Sequence, residues 1–182
     1  WERRGRRKGR RERSTRPSCF AHTPRALAAC LLVPGECVVR NCPDLSDVTA
    51  SLDILRHLGC AVRREGDAVI VDASAPTGWD VPDDLMREMR SSVIFLGAVL
   101  GRMGQADLCA PGGCELGPRP IDLHLSALRA LGADISDAGG TLRCRAAHLR
   151  GCQIVLATPS VGATENAMLA ACGAEGDTVI CN

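Results

Sequence analysis

The sequence predicts an α/β (α+β) protein assembled from a repeated β-α-β-α-β-β unit of about 70 residues. Two recurrences predict it. An Ala/Leu-rich stretch, a glycine and a β-rich run follow one another in "RALAACLLVPGECVVRN" (25–41), "VIFLGAVLGRMGQADLCA" (93–110) and "AMLAACGAEGDTVICN" (167–182). A second pattern recurs in "DLSDVTASLDILRHLGCAVRREGDAVIVDA" (44–73) and "RPIDLHLSALRALGADISDAGGTLRCRA" (119–146). Composition is the third observation: 46% of residues are hydrophobic but only 2% aromatic, so the core must be built from Leu, Val, Ile, Ala and Cys. The 182 residues suffice for one domain or most of one.

Each element has its own warrant. The first Ala/Leu run predicts a helix that ends before Gly35 and feeds a strand. Val48, Leu52, Leu55 and Leu58 form an apolar stripe at helical spacing, with Ser46 or Asp47 available as a cap. After Gly59, "AVIVDA" is the return strand beyond the turn "REGD". The wholly apolar "VIFLGAVL" predicts a buried helix, followed by a strand through "ADLCA". Ile121, Leu125, Leu128 and Leu131 repeat the helical stripe, with Pro120 where a first-turn proline is tolerated. "TLRCRA" is the strand that follows "DAGG". A third unit opens at 167 and is expected to be truncated after "GDTVICN", which would leave apolar surface open.

Charge is distributed unevenly. The first sixteen residues carry nine Lys/Arg and two Glu; the remaining 166 carry thirteen basic and nineteen acidic residues. Residues 1–24 are therefore expected to be a basic arm, disordered or not native to the protein. A nucleic-acid-binding protein using this arm is the alternative from another class, but no aromatics interleave with the arginines to stack on bases. No apolar run reaches the length of a membrane span, so no membrane association is expected. Eleven cysteines, none in a C-x-x-C pair, argue against a zinc ribbon or a thioredoxin-like site, and most are expected to be small buried hydrophobes. His57/Cys60 and His148/Cys152 have only loose metal-ligand spacing, and no metal is expected.

The segment richest in chemistry is "APGGCELGPRPIDLH", Ala110 to His124. Gly112 and Gly113 permit backbone angles other residues resist, so Cys114 rides on a hinge. Pro118 and Pro120 hold Arg119 extended at a helix start, a place suited to a phosphate. A thiol beside such positive charge is favoured as thiolate and suited to be a nucleophile or proton donor; a packing cysteine is the other reading at this point. Arg90, in "LMREMRSSVIF", is a second candidate anion ligand, with a solvated helix face as its alternative.

The string from Met89 to Ile135, with its PGGC-x-x-G-x-RP-x-DLH core, resembles the signature region of the bacterial UDP-N-acetylglucosamine 1-carboxyvinyltransferase family of enolpyruvyl transferases. "TPSVGATENAMLAA" (158–171) resembles a second signature of that family, in the right order and at the right separation. The resemblance implies an inside-out α/β barrel domain of three β-α-β-α-β-β units, of which residues 25–182 would be part. It carries a catalytic Cys loop at about 106–120, and the second domain of the same enzyme is absent. It implies transfer of the enolpyruvyl group of phosphoenolpyruvate to the 3′-hydroxyl of UDP-N-acetylglucosamine, in the cytoplasm, without metal or organic cofactor. Cys114 becomes the proton donor and the target of the epoxide fosfomycin. Arg90 and Arg119 match arginines that hold the anionic groups of the substrates. Pro120, Asp122, Leu123 and His124 match positions around the uridine, and Ser160, Val161 and Gly162 match those at the diphosphate end. The family's N-terminal Lys-Asn pair has no counterpart in "TRPSCFAHTPRALAAC", and the chain alone is expected to be inactive. The shikimate-pathway enolpyruvyl transferases are the nearest alternative; they lack the Gly-Gly-Cys loop.

Overall fold

A computed structural model describes residues 22–89, 91–109 and 121–182. Residues 1–21 of the expected arm, Arg90 and residues 110–120 lie outside these; Thr23 and Pro24, expected to close the arm, instead open α1 and are buried.

The elements run in the order α1 (Thr23–Cys30), β1 (Glu36–Val39), α2 (Ser46–His57), β2 (Ala61–Glu65), β3 (Ala68–Asp72), β4 (Asp80–Val81), α3 (Asp83–Glu88), α4 (Ile94–Met103), β5 (Gln105–Cys109), α5 (Asp122–Ala130), β6 (Asp134–Ala138), β7 (Thr141–Arg145), β8 (Gln153–Val155), α6 (Val161–Ala171) and β9 (Val179–Cys181). They form three small sheets, β1-β3-β2, β4-β5-β7-β6 and β8-β9. In the first, β3 is antiparallel to both neighbours; in the second, β7 is antiparallel to β5 and β6. The two parallel pairs, β4 with β5 and β8 with β9, each enclose an apolar helix in their crossover, α4 and α6 respectively.

Helices occupy the inside and sheets the outside. Helix α4 is apolar on every side and is buried from Ile94 to Leu100 without a break. It packs on α6, on α1 and on β5, so no face needs to be polar. The stripe residues of α2 (Val48, Leu52, Leu55, Leu58) are all buried, as are Leu125, Leu128 and Leu131 of the α5 stripe; Ile121 is half-buried. Strands β2 and β6 expose most of their side chains, because their outer face meets water while β3 and β7 bury Val69, Val71, Leu142 and Cys144.

The matching sequence patterns fold alike. Gly59 and Gly132 both follow a helix, α2 and α5, and both adopt positive φ (90° and 99°), which suits a residue without a Cβ at a helix stop. The sequence reading erred on smaller points. Neither Ser46 nor Asp47 caps α2; the N-cap position is Leu45, with no side-chain cap. Strand β4 and helix α3 were not anticipated, being too short to carry a period. Among the nine described cysteines only Cys30, Cys42, Cys60 and Cys144 are buried. Cys37, Cys109, Cys152 and Cys181 are half-buried and Cys172 is exposed; Cys37, Cys109 and Cys181 lie on the outer sheets, where both faces are not covered. Exposed large apolar side chains include Val155, Val161, Met168 and Val179, on β8, α6 and β9.

One exposed ion pair fixes two strands. Arg145 on β7 grips Asp107 on β5 with its two terminal guanidinium nitrogens, Nη2 donating to Oδ2 at 2.9 Å and Nη1 to Oδ1. Hydrogen bonding from Arg145 holds the Asp107 carboxyl below its usual range, against the opposing effect of partial burial. The folded value is depressed, so the pair's contribution is present above the ordinary carboxylate value of about 4 and fades as pH falls through the folded one. The Arg145 side chain is 43% exposed, so water screens the pair. Asp107→Asn should lower stability by about 0.5–1 kcal/mol at neutral pH, and the gap to the parent should close in acid. Urea denaturation at neutral pH and at about pH 2 checks both.

Candidate functional site

The two signature strings, 36 positions apart between His124 and Ser160, meet in space. Asp122, Leu123 and His124 make up the first turn of α5. Ser160 is the N-cap of α6, and Val161 and Gly162 open that helix. The two helices pack together so that these first turns face each other. The His124 ring lies directly over Gly162: a Cβ added there would stand 3.2 Å from Cε1 and 3.4 Å from Nε2. A side chain at 162 would press on the imidazole, so glycine gives the ring its close seat on the helix backbone.

Local sequence explains the placement. Ser160 is extended, and its Oγ accepts from the Ala163 N–H at 3.3 Å, while the Thr164 hydroxyl donates to the Ser160 carbonyl at 2.8 Å. The start of α6 is thereby fixed. Two helix N-termini converge, and each presents backbone N–H groups with a partial positive charge. Asp122 and Val161 are exposed beside them; Leu123, His124, Ser160 and Gly162 are half-buried. This arrangement offers hydrogen-bond donors and an apolar edge to a ligand carrying anionic oxygens.

His124 is held by a residue that the motif reading passed over. Asn166, fully buried on α6, has its Nδ2 3.1 Å from His124 Nδ1, and its Oδ1 accepts from the Gly97 N–H of α4 at 2.6 Å. Burial holds the His124 pKa below the usual imidazole value, so the ring is neutral near pH 7. A signal for Asn166 exists in the sequence. It falls with Ala163, Ala167 and Ala170 on the buried stripe of α6, where a lone polar residue needs partners.

Of the other expected site residues, Cys114, Arg90, Arg119 and Pro120 fall outside the described residues. The segment carrying Cys114 runs between Cys109, the last residue of β5, and Ile121, the residue before α5. Buried thiols elsewhere have the opposite of a reactive environment. Burial, reinforced by Cys37, pushes Cys30 up to about 12; burial reinforced by acidic neighbours pushes Cys60 and Cys144 to about 11.

A separate cleft lies elsewhere. A cleft of about 570 Å³ between α1, α6 and β9 is lined by His22, Arg25, Glu165, Met168, Cys172 and Ile180, on a different face of α6 from Gly162 and Asn166. Arg25 and Glu165 form an ion pair across it. Among the described residues, no three His, Cys, Asp or Glu side chains are grouped to hold a metal ion. His57 instead faces Asp80 at 3.3 Å, and the Cys152 thiol donates to the Ala130 carbonyl. No helix among the described residues is long and apolar enough to cross a membrane.

Comparison with known proteins converges on one family. Residues 18–182 match the model of the EPSP synthase (3-phosphoshikimate 1-carboxyvinyltransferase) family. The UDP-N-acetylglucosamine 1-carboxyvinyltransferase 2 of Caldanaerobacter subterraneus subsp. tengcongensis is 49% identical over 156 residues, 86% of this chain and 37% of that protein. The UDP-N-acetylglucosamine 1-carboxyvinyltransferase of Desulfatibacillum aliphaticivorans is 44% identical, over 86% and 38%. Among solved structures, the enolpyruvyl transferase NikO from Streptomyces tendae superposes with a TM-score of 0.76 at 25% identity, covering 88% of this chain and 38% of that one. EPSP synthase from Acinetobacter baumannii shares the fold, with a TM-score of 0.67 at 21% identity. The chain thus spans well under half the length of these relatives. With matching strings, mixed helices and sheets, and 165 of its residues inside the family match, the chain belongs to the EPSP synthase family of enolpyruvyl transferases.

Proposed function

We propose that this chain is part of a UDP-N-acetylglucosamine 1-carboxyvinyltransferase, which moves the enolpyruvyl group of phosphoenolpyruvate onto the 3′-hydroxyl of UDP-N-acetylglucosamine in the cytoplasmic opening of peptidoglycan synthesis. The observation that carries this reading is the junction of the two first turns, where His124 rests on Gly162 and Ser160 caps α6. Both halves of that junction come from the strings that resemble this enzyme, and the 49% identity of a relative bearing that name supports the choice. The Gly-Gly-Cys segment favours it over the shikimate-pathway reaction.

In this reading residues 25–182 belong to one inside-out barrel domain built from β-α-β-α-β-β units. The basic arm ends before α1. A second domain, from the length the relatives have beyond the match, closes the cleft, and the chain alone is inactive. Asp122, Leu123, His124 and Pro120 border the uridine; Ser160, Val161 and Gly162 meet the diphosphate at the N-terminus of α6. Arg90 and Arg119 hold the carboxylate and phosphate of phosphoenolpyruvate.

The chemistry follows from these parts. The Cys114 thiol gives its proton to the methylene carbon of phosphoenolpyruvate, turning it into a methyl group and leaving cationic character at the adjacent carbon. The 3′-oxygen attacks that carbon and loses its proton to a base. Elimination then removes a proton from the methyl group and expels phosphate, restoring the carbon–carbon double bond. Each step is acid–base chemistry beside fixed cations, and the resemblance brings no metal or organic cofactor. Gly112 and Gly113 let the thiol come down over bound substrates and exclude water.

Mass spectrometry after fosfomycin treatment, with UDP-N-acetylglucosamine and a complementing second domain present, should find the adduct on Cys114 far above any other cysteine. An adduct spread evenly over the eleven cysteines would overturn the loop assignment.

A further inference from the structure

We infer that Asn166 is a positioning residue, which fixes His124 as the neutral Nε2–H tautomer and aims that N–H as a donor at the nucleotide. The inference deepens the proposed function and rests on its placing of the sugar nucleotide at the first turns of α5 and α6.

The Asn166 carboxamide sets the direction of the chain of hydrogen bonds. Its two ends differ: oxygen only accepts and nitrogen only donates. Gly97 N–H is a donor whose direction is set by α4, and it points at Asn166 Oδ1 from 2.6 Å. The oxygen must face Gly97, so the NH₂ group must face His124, whose Nδ1 is 3.1 Å away. Nδ1 then accepts, and a neutral imidazole that accepts at one nitrogen carries its proton on the other. The tautomer is thus assigned from the chain of donors rather than from the ring itself.

The ring is fixed in direction as well. Three elements take part, α4 through Gly97, α5 through His124 and α6 through Asn166 and Gly162. With its Cε1–Nε2 edge laid on Gly162, the ring cannot turn over without losing the Asn166 bond. Asn166 is fully buried and His124 only half-buried, so the fixing bond is shielded while the ring keeps access to solvent. A buried side chain that satisfies one donor and one acceptor on two other helices is costly unless both bonds form. What the pair delivers is a single uncharged N–H directed at an oxygen acceptor of the ligand.

The test uses the 182-residue chain with ¹⁵N-labelled histidine, whose ring-nitrogen shifts distinguish the two neutral tautomers, together with an unlabelled complementing second domain and UDP-N-acetylglucosamine as probe. His124 should show the Nε2–H pattern without ligand and move on titration. Asn166→Asp keeps an oxygen for Gly97 but replaces the donor toward Nδ1 by an acceptor, so the ring proton should move from Nε2 to Nδ1 and leave Nε2 an acceptor toward the ligand. Affinity for the probe should fall about tenfold, the worth of one hydrogen bond. An Nδ1–H tautomer in the parent chain overturns the inference, whether or not Asn166→Asp folds. A switched tautomer with unchanged affinity also overturns it, leaving the substrate assignment intact. If the probe leaves the parent's His124 signals unmoved, the substrate assignment falls and the proposed purpose of Asn166 with it. The ligand-free tautomer measurement tells that failure apart.

Discussion

Gly97→Ala is expected to destabilise the chain by about 3 kcal/mol, although alanine is the better helix former. Helix α4 crosses α6 so closely that a Cβ at 97 would fall on the backbone carbonyl and the Oδ1 of Asn166. The carbonyl belongs to a helix and cannot swing aside, so the two backbones must separate. Overpacking of this kind costs about 1–3 kcal/mol. Losing the Gly97–Asn166 bond inside the core adds about 1–3 kcal/mol, and the gain in helix propensity returns only about 1 kcal/mol. Gly101, one turn further on, is a graded control: its added Cβ would stand 3.0 Å from the Leu169 carbonyl, so Gly101→Ala should cost less. Urea midpoints with unchanged m-values would establish the order. The Gly97 variant should also disturb the His124 ring signals, since Asn166 loses its anchor.

Phe95→Ala should cost about 3–5 kcal/mol, a large part of the 5–15 kcal/mol that a domain commonly has. Phe95 is fully buried in the first turn of α4 and is the only phenylalanine among the described residues. The rest of the core is aliphatic, and helices on several sides hold it, so the cavity cannot collapse by swinging another ring inward. Phe95→Leu keeps most of the volume and should lose no more than about 1.5 kcal/mol. Equilibrium denaturation of the pair separates a cavity effect from a general intolerance of substitution at 95; equal losses would argue against the cavity account.

Much of the architecture was legible because it repeats. Gly59 and Gly132 were paired by pattern alone and share the same backbone state after the same kind of helix. The apolar run of α4 announced a helix with no solvent face, and the stripes of α2 and α5 announced one-sided burial. What escaped were features set by neighbours rather than by period. The start of α2 has no side-chain cap, so Ser46 gave a false signal. Strand β4 is two residues long and exists only by pairing with β5. Cysteine burial was overestimated, since the composition does not say that the strands carrying Cys37, Cys109 and Cys181 lie on the outside. At the site, the motifs identified His124 and Gly162 but not their contact, which depends on how α5 meets α6. Asn166 sat unremarked within a quoted string because its importance comes from Gly97, 69 positions away.

Placing sheets outside and helices inside leaves strand borders facing water, and the charges there bear on how the protein behaves when concentrated. Among the described residues β2 and β6 are outermost in their sheets; β2 carries Arg63, Arg64 and Glu65, and β6 carries Asp134 and Asp137. Two copies adding β6 to β6 would crowd carboxylates, so ladder growth along that border meets repulsion, whereas Arg63 of β2 is already paired with Glu36 and Glu65. Neutralising Asp134 and Asp137 to raise expression or crystallisability would remove that safeguard against aggregation.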